Sequence, residues 1–283
     1  MITLLSFADG SIHFRRSLKR IEAQALNSKF FDTIKVYNLK SLKFYFPDFF
    51  VQHGRFIEEE TRAFGRWIWK PYLCSYFAQT SGDFLYLDAG SHLNINSVAA
   101  KQRFDDYTAM LDESPVLSFQ IRENQFCNGT KGSEKLFSRG ELLQFCDPYK
   151  LIKESNQVEA NVIFFRAGQT SSAFFSEILD VATFDNYYFM RDIKTESDKR
   201  NKPDLYRYDQ SIYSLLYKKF HFKLIKNETW FYPDWQKAGA NFPIWTVRNR
   251  TGVDIFKFRF RDLPEKFEMV ELPFKMYSST QEI

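Results

Sequence analysis

Two acidic residues stand where an apolar run gives way to small residues. Asp9 follows Ile2 to Phe7, and Asp88 follows Phe84 to Leu87 and continues into Ala89-Gly90. In open α/β sheets, ligands sit beyond the carboxyl ends of the strands. A carboxylate delivered there is a natural ligand for Mg2+ or Mn2+, and such a cation offsets the charge that builds on a diphosphate leaving group. The small residues after Asp88 let a ligand approach the backbone. The competing reading is that Asp88 only opens a turn or caps the next helix. Spacing alone leaves the two readings even.

The elements that would carry these residues are legible from periodicity. Ile2 to Phe7 reads as a buried strand, Phe14 to Leu26 as a helix with Leu18, Ile21 and Ala25 on one side, and Thr33 to Tyr37 as a second strand. This β-α-β opening is the signature of a parallel sheet covered by helices. Phe56 to Phe64 reads as a helix with Glu58, Glu59 and Glu60 early and Arg62 late, charges that suit its dipole. Pro71 is placed to be the first residue of a further helix with Leu73 and Phe77 inside. Strands follow at Phe84 to Leu87, Val116 to Ile121 and Val162 to Phe165. Helices are expected through Ser171 to Thr183 and Ser211 to Lys219, the second capped by Asp209 and buried through Ile212, Leu215 and Leu216. Ser138 with Glu141 predicts a capping box opening a helix through Phe145. Cys127 to Gly132 is turn-rich, and 191–204 reads as a mobile loop. Phe256 to Arg261 alternates apolar and basic residues as a strand with one cationic face would.

Composition narrows the function classes. The 283 residues are 44% hydrophobic and 26% charged, which suits one soluble domain with a real core. The 32 Phe, 15 Tyr and 5 Trp mostly fill that core, although such rings also line sugar and base sites. A net charge of +4 is too mild to argue for nucleic acid and fits an anionic small ligand or an anionic membrane surface. Three cysteines, Cys74, Cys127 and Cys146, match no zinc or disulfide spacing. No apolar window is long enough for a signal-peptide core or a membrane span, so a cytoplasmic chain is expected. The sequons at Asn128, Asn227 and Asn249 are accordingly read as chance.

Gly65-Arg-Trp-Ile-Trp-Lys-Pro71, followed by Gly82-Asp-Phe-Leu-Tyr-Leu-Asp-Ala-Gly90 with Asn94, resembles a family of bacterial GT-A-fold glycosyltransferases of surface-polysaccharide (capsule and O-antigen) biosynthesis. Further matches are Ser17 with Arg20, Glu159-Ala160, and Arg207 with Asp209-Gln210-Ser211. The resemblance runs from Met1 to about Arg250. It implies an α/β, GT-A-like (Rossmann-like), mostly parallel sheet flanked by helices, with one domain over residues 1–250 and a small C-terminal strand or tail over 251–283. It also implies a nucleotide-sugar donor and a glycan or lipid-linked glycan acceptor. Asp88 stands where such enzymes carry the first aspartate of an Asp-X-Asp motif, and Gly90 replaces the second. His92 is the nearby candidate for a second ligand of Mn2+ or Mg2+, against its commoner role in packing.

The same resemblance gives roles to other residues. Arg66, Trp69 and Lys70 would border the donor diphosphate beside a helix start. Asp9 would lie where the nucleobase and ribose are held, with Arg20 facing that pocket. Arg248 and Arg250 would close over the diphosphate. Inverting transfer needs a general base, for which Asp209 and Glu159 are the candidates; a retaining reaction needs none. The alternative is a catalytically inactive, transferase-like protein that binds a glycan or a partner. A nucleotidyltransferase is disfavoured because Ala8-Asp9-Gly10-Ser11 has a single glycine, and no nucleic-acid motif is present. A lipid-linked acceptor would place the protein peripherally on the inner face of the cytoplasmic membrane.

Overall fold

A computed structural model of the chain describes residues 1–122, 132–147, 152, 154–192 and 206–248. The first half holds β1 (Ile2–Phe7), α1 (Ile12–Ser28), β2 (Thr33–Tyr37), α2 (Leu39–Tyr45), α3 (Pro47–Glu59), the short turn α4 (Ala63–Arg66), α5 (Trp69–Ala78), β3 (Asp83–Leu87), β4 (His92–Leu93) and α6 (Val98–Ala109). The second half holds β5 (Val116–Gln120), α7 (Glu134–Phe137), α8 (Gly140–Cys146), β6 (Val162–Arg166), α9 (Gln169–Tyr187), α10 (Tyr208–Lys219), β7 (Leu224–Lys226), α11 (Trp235–Ala238) and β8 (Ile244–Trp245).

Six strands form one sheet in the order β2-β1-β3-β6-β5-β7, and β4 pairs with β8 in a separate ribbon. Three of the five pairings in the large sheet are parallel, and β6 runs against both its neighbours. This is the mostly parallel α/β sheet flanked by helices that the sequence implies. Alternation along the strands divides the core in two. Leu5, Phe7, Phe84, Tyr86, Ile163 and Phe165 turn to the face covered by α2, α3, α5, α9 and α10. Leu4, Leu85, Leu87, Val162 and Phe164 turn to the face covered by α1 and α6. The abundant aromatics do fill the interior: Phe49, Phe104, Phe119, Phe164, Phe165 and Phe174 are among the largest fully buried side chains. Truncating one of these to alanine costs about 3–5 kcal/mol.

Several expected boundaries move for identifiable reasons. The helix expected from Phe56 to Phe64 instead runs from Pro47 to Glu59, because Pro47 is preset for a first turn and Asp48 favours it. Glu58 and Glu59 therefore sit in the last turn and Glu60 caps it, against the dipole, and arginines meet two of the three: Glu59 meets Arg55 and Arg191, and Glu60 meets Arg66. Pro71 is the third residue of its helix, which starts at Trp69. The expected capping box at Ser138 does not form. Arg139 is the N-cap, and the Ser138 hydroxyl donates to Glu134 instead (3.0 Å). Asp209 lies inside the first turn of α10 rather than capping it. Asn227 is fully buried, which suits the reading of its sequon as chance. The turn-rich stretch through residue 131, most of the expected loop at 191–204, and the alternating strand with the whole 251–283 tail fall outside the described residues.

Candidate functional site

At the carboxyl end of β3 the chain turns sharply. The Asp88 N–H donates to the Asn161 carbonyl, and the Ser91 N–H donates to the Asp88 carbonyl, both at 2.9 Å. Because β6 is antiparallel to β3, the residues that lead into β6 arrive at this same end. The Asp88 carboxylate faces α5 and α10. Its Oδ1 accepts from the Tyr86 hydroxyl at 2.6 Å and lies 3.5 Å from Lys70 Nζ. Lys70 in turn meets Asp209 Oδ2 at 2.7 Å. Lys70 is in the first turn of α5 and Asp209 in the first turn of α10, so two helix starts and one strand end meet on a single ammonium.

The three members differ in access. The side chains of Lys70 and Asp209 are 7% and 11% exposed, whereas that of Asp88 is 36% exposed. Burial opposes the charge on Lys70, but Asp209 and Asp88 together outweigh it and hold its pKa above the ordinary lysine value. Asp209 is shifted upwards, because burial and the neighbouring Asp88 outweigh what Lys70 restores. Two carboxylates share one ammonium, and the enclosed one is the one shifted. Burial and Asp88 also push the Tyr86 phenol well above its usual range, so it stays a donor to Asp88. Burial does the same to the Cys74 thiol behind Lys70 and keeps it protonated.

Arg66 borders this cluster. Its Nε donates to Glu60 (3.0 Å), a second nitrogen pairs with Asp192, and its plane lies 4.7 Å from the ring of Tyr208, the residue before Asp209. Its remaining nitrogen is buried with no hydrogen-bond partner among the described residues. Arg66 is delivered by a left-handed turn in which Ala63, Phe64, Gly65, Arg66 and Trp67 have φ of 50°, 52°, 74°, 52° and 68°. For residues with a Cβ this conformation costs roughly 1–2 kcal/mol each, so the surroundings must impose it. Trp69 is part of what does so, since its indole N–H donates to the Ala63 carbonyl at 3.1 Å while its ring packs on Phe7 at 4.3 Å.

Of the residues singled out from sequence, the structure thus brings together Lys70, Asp88 and Asp209, with Arg66 beside them. The others have different surroundings. Trp69 is 5% exposed and acts as core and brace, not as a face for a donor. Both carboxylate oxygens of Asp9 are committed to backbone, one to the Gly10 N–H (2.7 Å) and one to the Leu39 N–H at the start of α2 (2.8 Å), so Asp9 joins β1 to α2. Arg20 is buried and donates to the carbonyls of Ala89 (2.8 Å) and Ser91 (3.0 Å), which makes it the underside support of the Asp88 turn rather than a wall of a base pocket. His92 is fully enclosed, its Nδ1 is 3.1 Å from Gln24 Nε2 of α1, and burial pushes its pKa well below the usual value. That placement corrects the expectation that His92 helps Asp88 hold a cation. Glu159 is 5% exposed and accepts from the Thr229 hydroxyl (3.0 Å), so it has no open path to an acceptor. Arg248 is half-buried past β8, and Arg250 lies outside the described residues. Sequence reasoning missed Tyr86. The signal was present, because residues two apart on a strand share a face.

Among the described residues, Asp88 is the side chain in this cluster placed to meet a divalent ion. Among the described residues no group of three His, Cys, Asp or Glu side chains converges. Asp88 offers one open carboxylate, and Gly90 adds no side chain. Mg2+ in particular is often held by one or two carboxylates together with substrate phosphates.

No family model matches the chain, and no curated protein matches its sequence. Among solved structures, a glycosyltransferase involved in the glycosylation of the major capsid of PBCV-1 overlaps 86% of this chain and 92% of its own, at 11% identity and a TM-score of 0.43. Mouse xyloside xylosyltransferase 1, in its apo form, overlaps 87% of this chain and 97% of its own, at 12% identity and a TM-score of 0.42. Both overlaps are loose, and the site stands on its own geometry.

Proposed function

We propose that this chain is a glycosyltransferase that uses a nucleoside-diphosphate sugar, with the donor bound at the end of β3 against Asp88. The observation that carries the reading is the Asp88–Lys70–Asp209 cluster: one carboxylate open to a ligand, fixed at a strand end by a buried cation that a second carboxylate holds in place. The block of residues from Gly65 to Pro71 supplies Lys70 and that from Gly82 to Gly90 supplies Tyr86 and Asp88, while Asp209 comes from the further match at Arg207 to Ser211. In the reaction the bond from the anomeric carbon to the diphosphate oxygen breaks, a bond from that carbon to the acceptor hydroxyl oxygen forms, and the hydroxyl proton passes to the released diphosphate or to water.

Asp88 is the side chain that meets the donor. Tyr86 and Lys70 orient it, and Asp209 positions Lys70. Arg66, with an unused buried nitrogen, supplies positive charge at the rim. Mg2+ or Mn2+ arriving with the donor would be held by Asp88 and would offset the charge developing on the diphosphate. The acceptor is a glycan or lipid-linked glycan of surface-polysaccharide synthesis, a reading that rests on the resemblance. A screen of nucleoside-diphosphate sugars, read as nucleoside diphosphate release, tests the proposal together with thermal stabilisation by uridine or guanosine diphosphate and Mn2+. Release with at least one donor is expected. Neither release nor stabilisation with any of them would leave the inactive, glycan-binding reading, which the absence of a second aspartate at Gly90 favours.

A further inference from the structure

The surface of α2 combines features that a soluble protein normally keeps apart. Phe44 is 77% exposed and Tyr45 64% exposed, and Tyr76 on α5 is 49% exposed. Ring contacts tie them together through the buried Tyr37 and Phe46: Phe44 to Tyr45 at 5.0 Å, Tyr45 to Tyr37 at 6.3 Å, Tyr37 to Phe46 at 5.3 Å and Phe46 to Tyr76 at 4.9 Å. Lone exposed apolar residues need no explanation, but a contiguous aromatic set marks a contact surface. Lys35, Lys40 and Lys43 are all exposed, and Asp48 is the only acidic residue from Thr33 through Val51. Lys35 Nζ lies 5.7 Å from the Phe77 ring and Lys43 Nζ 5.9 Å from the Phe50 ring, so the cations are set among the rings.

We infer that the α2 surface, built from Phe44, Tyr45 and Tyr76 with Lys35, Lys40 and Lys43, docks on an anionic lipid surface. Aromatic rings settle at the headgroup level, and long lysine stems lie along apolar surface while their ammonium groups reach lipid phosphates. The charge complementarity selects this occupant over a protein strand added to the sheet edge. The edge strand β2 is only five residues long and carries Lys35 outward, a device that blocks such pairing. No helix among the described residues is long and apolar enough to cross a membrane, so the contact is peripheral. The surface stands independently of the strand-end cluster: Phe44 and Tyr45 close α2, and Tyr76 lies near the end of α5, whose first turn carries Lys70.

Co-sedimentation of the full chain with phosphatidylcholine vesicles, with and without phosphatidylglycerol, needs no turnover and so separates this inference from the transferase reading. Partitioning onto the anionic vesicles is expected to exceed that onto neutral ones by about tenfold or more at low salt and to fall as salt is added. Lys40→Glu with Lys43→Glu, and separately Phe44→Ser with Tyr45→Ser, should each remove most of the preference. Val98→Ser, at an 88% exposed site on the other face of the sheet, should leave it intact. All these positions are exposed, so unchanged melting curves confirm folding. Equal binding to both vesicle types, or binding unaffected by both double variants, overturns the inference. So does a dimer that Phe44→Ser with Tyr45→Ser splits, because the surface would then be an interface between copies.

Discussion

The two ends of α10 each carry a buried lysine–carboxylate pair, and the two pairs behave differently. At its start Asp209 grips Lys70, and at its end Lys218 grips Glu134 at 2.5 Å. The second pair is closed. Glu134 has no exposure and accepts from the hydroxyls of Ser138 and Ser214, while Lys218 Nζ also donates to the Asn156 carbonyl at 2.6 Å. Burial dominates there and lowers the lysine pKa despite Glu134. At Lys70 a further carboxylate, Asp88, tips the balance the other way and also reaches solvent. One pair is complete within the protein, and the other leaves a charged group for something else to complete. A buried ion pair alone is weak evidence of function; the open third member separates the two.

The sharpest test of this contrast is Glu134→Ala, which leaves Lys218 enclosed without its counter-charge. Stability should fall by about 3 kcal/mol or more, with the turnover per folded molecule unchanged. Denaturant titration beside an activity assay reads both. Asp88→Ala should do the reverse: transfer falls by about 10²-fold or more while the melting temperature barely moves. If instead it melts like Glu134→Ala, the cluster at β3 is a second structural clamp.

His53 supplies a third case, a buried titratable group with no ion pair among the described residues. Its Nδ1 is 2.8 Å from the Tyr187 hydroxyl, and burial lowers its pKa to about 4. The unfolded chain therefore binds the proton more readily between about pH 4 and the ordinary histidine value. Stability should rise with pH through that window, by about 2–3 kcal/mol in all. His53→Phe should flatten that slope in urea titrations run across it. The smallest effect concerns coupling. Lys70→Met leaves Asp209 enclosed and alone, and adding Asp209→Asn should recover about 1–2 kcal/mol. Transfer should not return, and full additivity of the two substitutions would show that the pair is not coupled.

How far the sequence reveals all this depends on distance along the chain. The β-α-β opening, β3 and the core face of α10 follow local periodicity and were readable. Asp88 at a strand end was readable for the same reason. Lys70 meeting Asp209 was not, because that contact joins residues far apart in sequence through the packing of α5 on the sheet. His92 and Glu159 show the converse. Each is close to Asp88 in sequence or in sheet order, yet each is turned into a packed layer, and proximity along the chain says nothing of that. The helix expected at Phe56 to Phe64 starts earlier because Pro47 fixes its first turn, a backbone constraint that outweighs the charge pattern.

That α10 is gripped at both ends has a consequence for how the chain can change. Asp209 and Lys218 are separated by about two and a half turns, and each must point at a fixed partner on a different element. Adding or deleting one residue between them would swing one grip about 100° around the axis relative to the other. Only one of them could then close. The length of this helix acts as a gauge, and a homologous chain that keeps both grips must keep the spacing between them.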